Sequence, residues 1–195
     1  MKLAFDLDGV IALTYPWLRE YFLKHFNVDV GSTDDKTEFQ YGNYDRLKEV
    51  VSDIGLSTAH AIIDYSKNIV PLNDAISAVH NAYNYFEVPI TIITARHPIT
   101  EIVTRRWLEK WYPGLQFDLQ LVDSSHNKRR ICEDLGVTHY VDDRYKTVCE
   151  LAKTLDTVFC YDWPYNRRPL PPNAIRAYKL NDVLNTMLMR QIHGR

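Results

Sequence analysis

Most of this chain alternates short apolar runs, closed by polar turns, with longer stretches of helical periodicity. The first run, 2–6, predicts a strand that closes in the turn Asp6-Leu7-Asp8-Gly9. From 15 to 26 the apolar residues Trp17, Leu18, Tyr21, Phe22 and Phe26 recur at helical spacing. Residues 27–41, with Gly31-Ser32-Thr33-Asp34-Asp35, have loop composition. Leu47, Val50, Val51 and Ile54 predict a helix over 43–54 that Gly55 would stop. Ala59, Ile62, Ile63 and Ser66 predict another over 57–69. None of this block reads as strand, so 14–70 is expected to be a helical insertion behind the first strand.

Pro71 restarts an α/β alternation. Asn73 or Asp74 can cap a helix running to Phe86. The β-branched run 89–94 predicts a strand covered on both faces. Pro98 suits the first turn of a helix carrying Ile102, Val103, Trp107 and Leu108, which Pro113-Gly114 ends. Further strands are predicted over 117–122, 139–141 and 157–161, with helices over 128–135 (closed by Gly136), 145–155 and 181–192. The proline- and arginine-rich segment 163–173 reads as a loop. Strand–helix alternation implies a doubly wound parallel sheet. The expected fold is α/β, with five strands, the first of them central. Its core is 1–13 plus 71–195, and 14–70 is a small helical cap at the sheet's carboxyl edge.

Composition narrows the partners. Of 195 residues, 46% are hydrophobic and 25% charged, ordinary values for a globular chain. A formal net charge of −2 gives no support for a nucleic-acid polymer or an anionic membrane as partner. It leaves room for a small phosphorylated substrate, and for a homodimer. The three cysteines, Cys132, Cys149 and Cys160, lack metal-ligand spacing and read as buried free thiols of a reducing compartment. With no signal-peptide pattern and no apolar run of membrane-spanning length, a cytoplasmic location is expected.

The candidate chemistry collects at strand ends. The first strand ends on Asp6 and Asp8, the second on Thr94 and the fourth on Asp142-Asp143, while Lys128 opens the helix after the third. In a parallel sheet these positions share one edge, where ligands bind. Carboxylates without histidine or cysteine suit a hard, oxygen-ligated cation such as Mg²⁺. A lysine ammonium and a threonine hydroxyl beside it would face phosphate oxygens. One aspartate can attack phosphorus, and a second can move the proton. Arg96, on the loop after Thr94, is placed to touch substrate.

Asp6-Leu7-Asp8-Gly9, Thr94, Lys128 and Asp142-Asp143 resemble, in order and strand placement, the four motifs of the haloacid dehalogenase superfamily. The resemblance implies Asp6 as nucleophile, Asp8 as general acid/base, and Thr94 and Lys128 as phosphoryl-binding residues. It also implies Mg²⁺ held by the Asp6 carboxylate, the Asp8 carbonyl and a motif-four acid. Asp143 is expected to be the direct ligand, with Asp142 behind it or bridged by water. Val10 stands where many members carry threonine. An acid at Asp8 speaks against dehalogenation, which leaves no alkoxide to protonate. A narrower likeness rests on Asp142-Asp143-Arg144 and on 161–167 (Tyr-Asp-Trp-Pro-Tyr-Asn-Arg), which look like elements of the 5′(3′)-deoxyribonucleotidases. That likeness implies a Mg-dependent phosphomonoesterase, a 5′-nucleotidase that hydrolyses (deoxy)nucleoside monophosphates. Tyr15, Trp17, Phe39, Tyr41 and Tyr44 are then the candidates to stack a base, with Trp17, Phe39 and Tyr41 favoured. The alternatives are a phosphatase for a sugar phosphate or another small metabolite, and a non-catalytic phospho-ligand binding module.

Overall fold

The first strand, β1 (Leu3–Phe5), is the hub of a parallel sheet in the computed structural model, which describes residues 1–31, 44–122 and 125–193. It pairs with β4 (Ile90–Thr94) on one side and β6 (His139–Asp142) on the other. β5 (Phe117–Leu121) lies beyond β4, and β7 (Thr157–Tyr161) and β8 (Ala174–Ala177) lie beyond β6. The order is β5-β4-β1-β6-β7-β8, so among the described residues the sheet has six strands rather than the five expected. The extra one, β8, joins parallel to β7 with Val158 opposite Ala174 and Tyr161 opposite Ala177. It is an edge strand of four half-buried residues carrying Arg176, directly behind Pro171-Pro172-Asn173, and it lacks the apolar pattern that marks its neighbours.

Alternation within the strands builds a core on each face of the sheet. Leu3, Phe5, Ile92, Val141 and Phe159 pack to one side, against α4 (Ala75–Phe86), α5 (Glu101–Trp111) and α8 (Leu180–His193). Ala4, Ile93, Tyr140, Val158 and Cys160 pack to the other, against α6 (Ser125–Asp134) and α7 (Tyr145–Leu151). The result is the helix–sheet–helix sandwich that near-continuous apolar strands require. Cys132 and Cys160 are buried free thiols, while Cys149 is half-buried. Trp107 is buried in the core and donates its indole N–H to the Ile69 carbonyl at 2.9 Å. No helix among the described residues is long and apolar enough to cross a membrane.

The chain leaves and re-enters this sandwich through a separate ribbon. β2 (Ala12–Leu13) pairs antiparallel with β3 (Val70–Pro71), and three helices lie between them in sequence. The first, α1 (Tyr15–Phe26), starts with Pro16 in its first turn and ends on Asn27 at φ 52°, a left-handed cap that asparagine tolerates. α2 (Tyr44–Val50) and α3 (Ile54–Asp64) depart from the expected bounds. Gly55 does not end α2; it sits in the first turn of α3, because Asp53 caps that helix by accepting from the Leu56 N–H at 2.9 Å. Trp17 of α1 stacks on Tyr65 after α3, ring centres 5.5 Å apart, and ties the two helices together.

Candidate active site

Asp6 stands one residue past β1, where its backbone N–H still donates to Val141 of β6 at 2.8 Å. The chain then turns at Gly9, whose φ of 78° favours glycine. Gly9 is also the closest neighbour of the next strand's acids: a Cβ built there would lie 2.4 Å from Asp143 Oδ2 and 2.8 Å from the Tyr15 ring. β6 runs through Asp142, and Asp143 follows it. Because β1 and β6 are paired in parallel, Asp6, Asp142 and Asp143 meet at one edge, each presenting an oxygen within 4.8 Å of the others.

Lys128, in the first turn of α6, reaches into this cluster. Its Nζ lies 2.7 Å from Asp6 Oδ2 and 2.8 Å from Asp142 Oδ2, and 5.5 Å from the centre of the Tyr140 ring. Lys128 is 1% exposed, and Asp142 and Asp143 are fully buried. Burial pushes the Asp6 carboxyl up from 3.8 to about 8, with Asp142 and Asp143 adding to the push and Lys128 opposing it. Burial and Asp142 likewise push Asp143 up to about 6. Burial would lower the Lys128 ammonium, but Asp142 and Asp6 outweigh it and hold the lysine protonated.

Three carboxylates against one ammonium leave the cluster, when ionised, two positive charges short. A divalent cation supplies that difference, and an all-oxygen donor set fits Mg²⁺. The oxygens are not equally available. Asp142 Oδ2 is taken by Lys128, and its Oδ1 accepts the Arg144 N–H at 2.8 Å. Asp6 Oδ1 accepts the Leu7 N–H at 2.8 Å. Asp143 Oδ2 accepts from the Tyr15 and Tyr165 hydroxyls, whereas its Oδ1 is buried without a hydrogen-bond partner.

Asp8 belongs to a second, electrically balanced group. Arg96 grips it with two bonds, Nε to Oδ2 at 2.8 Å and Nη2 to Oδ1 at 2.7 Å, and the Thr14 hydroxyl also donates to Oδ1. Burial alone would raise the Asp8 carboxyl, but Arg96 and Thr14 hold it below its ordinary value. Arg96, expected on the surface of the site, is 4% exposed and also donates to the Thr104 hydroxyl at 2.9 Å. Thr94 ends β4 and is 1% exposed.

The predicted aromatic contacts divide. Trp17 is half-buried in its stack on Tyr65, and Tyr15 turns its hydroxyl to Asp143 instead of offering a face to a ligand. Phe39 and Tyr41 lie outside the described residues. Several residues at the site carry no signal in the local pattern. Tyr165 and Asn166 form a short 3₁₀ turn, Pro164–Asn166, inside the segment read as loop. Asn166 donates to the Asp143 carbonyl and to the Tyr161 carbonyl, both at 2.7 Å, and Trp163 donates to the Gly9 carbonyl at 2.7 Å. Arg176 of β8 in turn donates to Asn166 Oδ1 at 2.7 Å. Only the likeness of 161–167 to a known element pointed there.

No family model matches the chain. A nucleotidase of Clostridium acetobutylicum is 22% identical over 183 residues, covering 94% of this chain and 91% of the relative. Among solved structures, a HAD-superfamily hydrolase (subfamily IA, variant 1) from Geobacter sulfurreducens PCA superposes with a TM-score of 0.59 at 15% identity, covering 95% of this chain and 98% of that one. The D,D-heptose 1,7-bisphosphate phosphatase from B. bronchiseptica, complexed with magnesium and phosphate, gives 0.54 at 12% identity, covering 98% and 99%. The fold is therefore that of the haloacid dehalogenase-superfamily hydrolases, a parallel sheet flanked by helices with its acids at the carboxyl edge.

Proposed function

We propose that this protein is a Mg²⁺-dependent phosphomonoesterase that works through an aspartyl-phosphate on Asp6, and that its substrate is a (deoxy)nucleoside 5′-monophosphate. The observation that carries the proposal is the cluster of Asp6, Asp142 and Asp143 with Lys128 lodged among them at the carboxyl end of the central strand. Asp6, the Asp8 carbonyl and Asp143 would hold Mg²⁺, with Asp142 behind them, where its two oxygens already serve Lys128 and Arg144. Mg²⁺ bound there would offset charge on the transferring phosphoryl group.

The residues divide the remaining work. Lys128 and Thr94 draw the phosphoryl oxygens to the strand edge. An Asp6 oxygen attacks phosphorus as the bond to the leaving oxygen breaks, and Asp8 donates a proton to that oxygen. Water then attacks the aspartyl-phosphate, Asp8 takes its proton, and the bond between phosphorus and Asp6 breaks. The helices of 14–70 act as a cap over this edge, and substrate binds between cap and core. The nucleotide reading draws on the likeness of 161–167 and on the Clostridium nucleotidase.

The test is phosphate release from a panel of nucleoside monophosphates and sugar phosphates, with Mg²⁺ and with EDTA. Turnover that needs Mg²⁺, favours nucleotides and vanishes in Asp6→Asn is expected. Preference for sugar phosphates would replace the substrate class, and activity retained in Asp6→Asn would rule out Asp6 as nucleophile. Tyr41→Ala should harm nucleotide turnover more than that of an aryl phosphate; equal effects would remove it as a base-stacking residue.

A further inference from the structure

Asp143 is held from three directions, and two of the groups that hold it are phenols. The Tyr15 hydroxyl comes from the first residue of α1, at the mouth of the inserted segment. The Tyr165 hydroxyl comes from the turn after β7. Both donate to the same oxygen, Oδ2. The two rings meet edge to face at 6.2 Å, and Tyr165 is stacked on Trp163 at 6.0 Å. Trp163 is anchored in turn on the Gly9 carbonyl. The Asp143 main chain is pinned by Asn166 through its carbonyl. Both rings are 3% exposed, so neither hydroxyl is held by solvent.

This arrangement leaves one atom over. Asp143 Oδ1 is buried and without a hydrogen-bond partner, a costly state for a carboxylate oxygen unless a cation completes it. Mg²⁺ demands near-ideal octahedral geometry, so a ligand that arrives already oriented saves the cost of fixing it. Two donors on Oδ2 fix the rotation of the carboxylate and reserve Oδ1.

We propose that Tyr15 and Tyr165 are positioning residues for a divalent-cation ligand: by sharing Asp143 Oδ2 they set the rotation of the carboxylate and present Oδ1 to the cation. The proposal rests on the reading of Asp6, Asp142 and Asp143 as the Mg²⁺ site, and it adds that the inserted segment, through Tyr15, helps build that site.

Phenylalanine keeps each ring and its packing and removes only the donor. Mn²⁺ binding to the substrate-free protein, followed by electron paramagnetic resonance, with Mg²⁺ as competitor, reads the effect without turnover. Loss of groups that orient a metal ligand typically weakens binding by about 10–100-fold, so Tyr15→Phe and Tyr165→Phe should each raise the dissociation constant by ~10-fold or more. Merely structural hydroxyls would lower the melting temperature of the EDTA-treated protein and leave the dissociation constant where it was. Wild-type affinity in both variants overturns the proposal. If the wild-type protein itself binds no Mn²⁺, the metal reading falls first, and this one with it. Should Tyr165→Phe fail to fold by circular dichroism, Tyr15→Phe on the other element carries the test.

Discussion

Arg96 and Asp8, 88 positions apart in the chain, form a two-pronged ion pair with contacts of 2.7 and 2.8 Å. The guanidinium side chain is 2% exposed and the carboxylate 18%, so the pair is largely shielded from water. Removing one partner strands the other, which costs roughly 3–5 kcal/mol when both are fully buried. Arg96→Met should cost somewhat less, about 2–3 kcal/mol at pH 7, because Asp8 keeps some solvent contact. The Asp8 carboxyl is lowered in the fold, so the pair stabilises above its ordinary value and is lost as pH falls below about 4. Urea denaturation of both proteins at pH 7 and pH 4 measures this; the gap should narrow at the lower pH. A gap that stays constant would assign the effect to packing.

Asp6 and Asp143 pull the other way. Both bind a proton more tightly in the folded chain than in the unfolded one, with values of about 8 and about 6 against an ordinary 3.8. The folded state therefore holds more protons between pH 4 and 8, and metal-free stability falls as pH rises through that window. His139 is lowered by burial and opposes the trend below its ordinary 6.5. The window to read is consequently pH 6.5–8.5, where Asp6 dominates. The melting temperature in EDTA should decline across it, and added Mg²⁺ should flatten the decline, since cation binding displaces the protons. Parallel curves with and without Mg²⁺ would contradict the charge argument.

Gly9→Ala should be far more damaging than a single methyl suggests. Its φ of 78° disfavours any other residue, and the added carbon would sit 2.4 Å from Asp143 Oδ2. Strain at such a position costs roughly 1–3 kcal/mol, and relief requires Asp143 or Tyr15 to move. Melting and Mn²⁺ affinity should fall together. A stable variant with unchanged affinity would mean that the turn can open without disturbing Asp143.

Lys128→Met removes the ammonium that bridges Asp6 and Asp142. With the electrostatic clamp gone, turnover of any phosphomonoester should drop by ~100-fold or more. Steady-state phosphate release at saturating Mg²⁺ checks this, and near-wild-type turnover would remove Lys128 from the phosphoryl site.

What could be read beforehand, and what could not, follows from where each signal lies. Asp6, Lys128, Asp142 and Asp143 announced themselves because strand ends are visible as breaks in apolar runs, and a parallel sheet aligns those ends. Arg96 was visible as a charge, but its partner was not: Asp8 lies on another strand's turn, and nothing local ties the two. Tyr15 read as a helix-face aromatic, since spacing reports which face a ring occupies and says nothing of where its hydroxyl reaches. Tyr165 and Asn166 were hidden in a proline-rich segment whose order comes from tertiary bonds to Gly9, Asp143 and Arg176. β8 escaped for a related reason: an edge strand is specified by its neighbour's open hydrogen bonds as much as by its own residues.

The two-residue ribbon of β2 and β3 bears on how such a protein can change. Ala12 faces Pro71 and Leu13 faces Val70, so the excursion over 14–69 begins and ends at one point on the sandwich. A loop whose ends are already clasped adds only about 0.6 kcal/mol of closure entropy for each doubling of its length. The segment between the clasps can therefore be shortened, lengthened or exchanged for another with little strain on the strands that carry Asp6 and Asp143. In evolutionary terms the ribbon is a socket, through which a lineage can replace what sits above the acids while inheriting the acids intact.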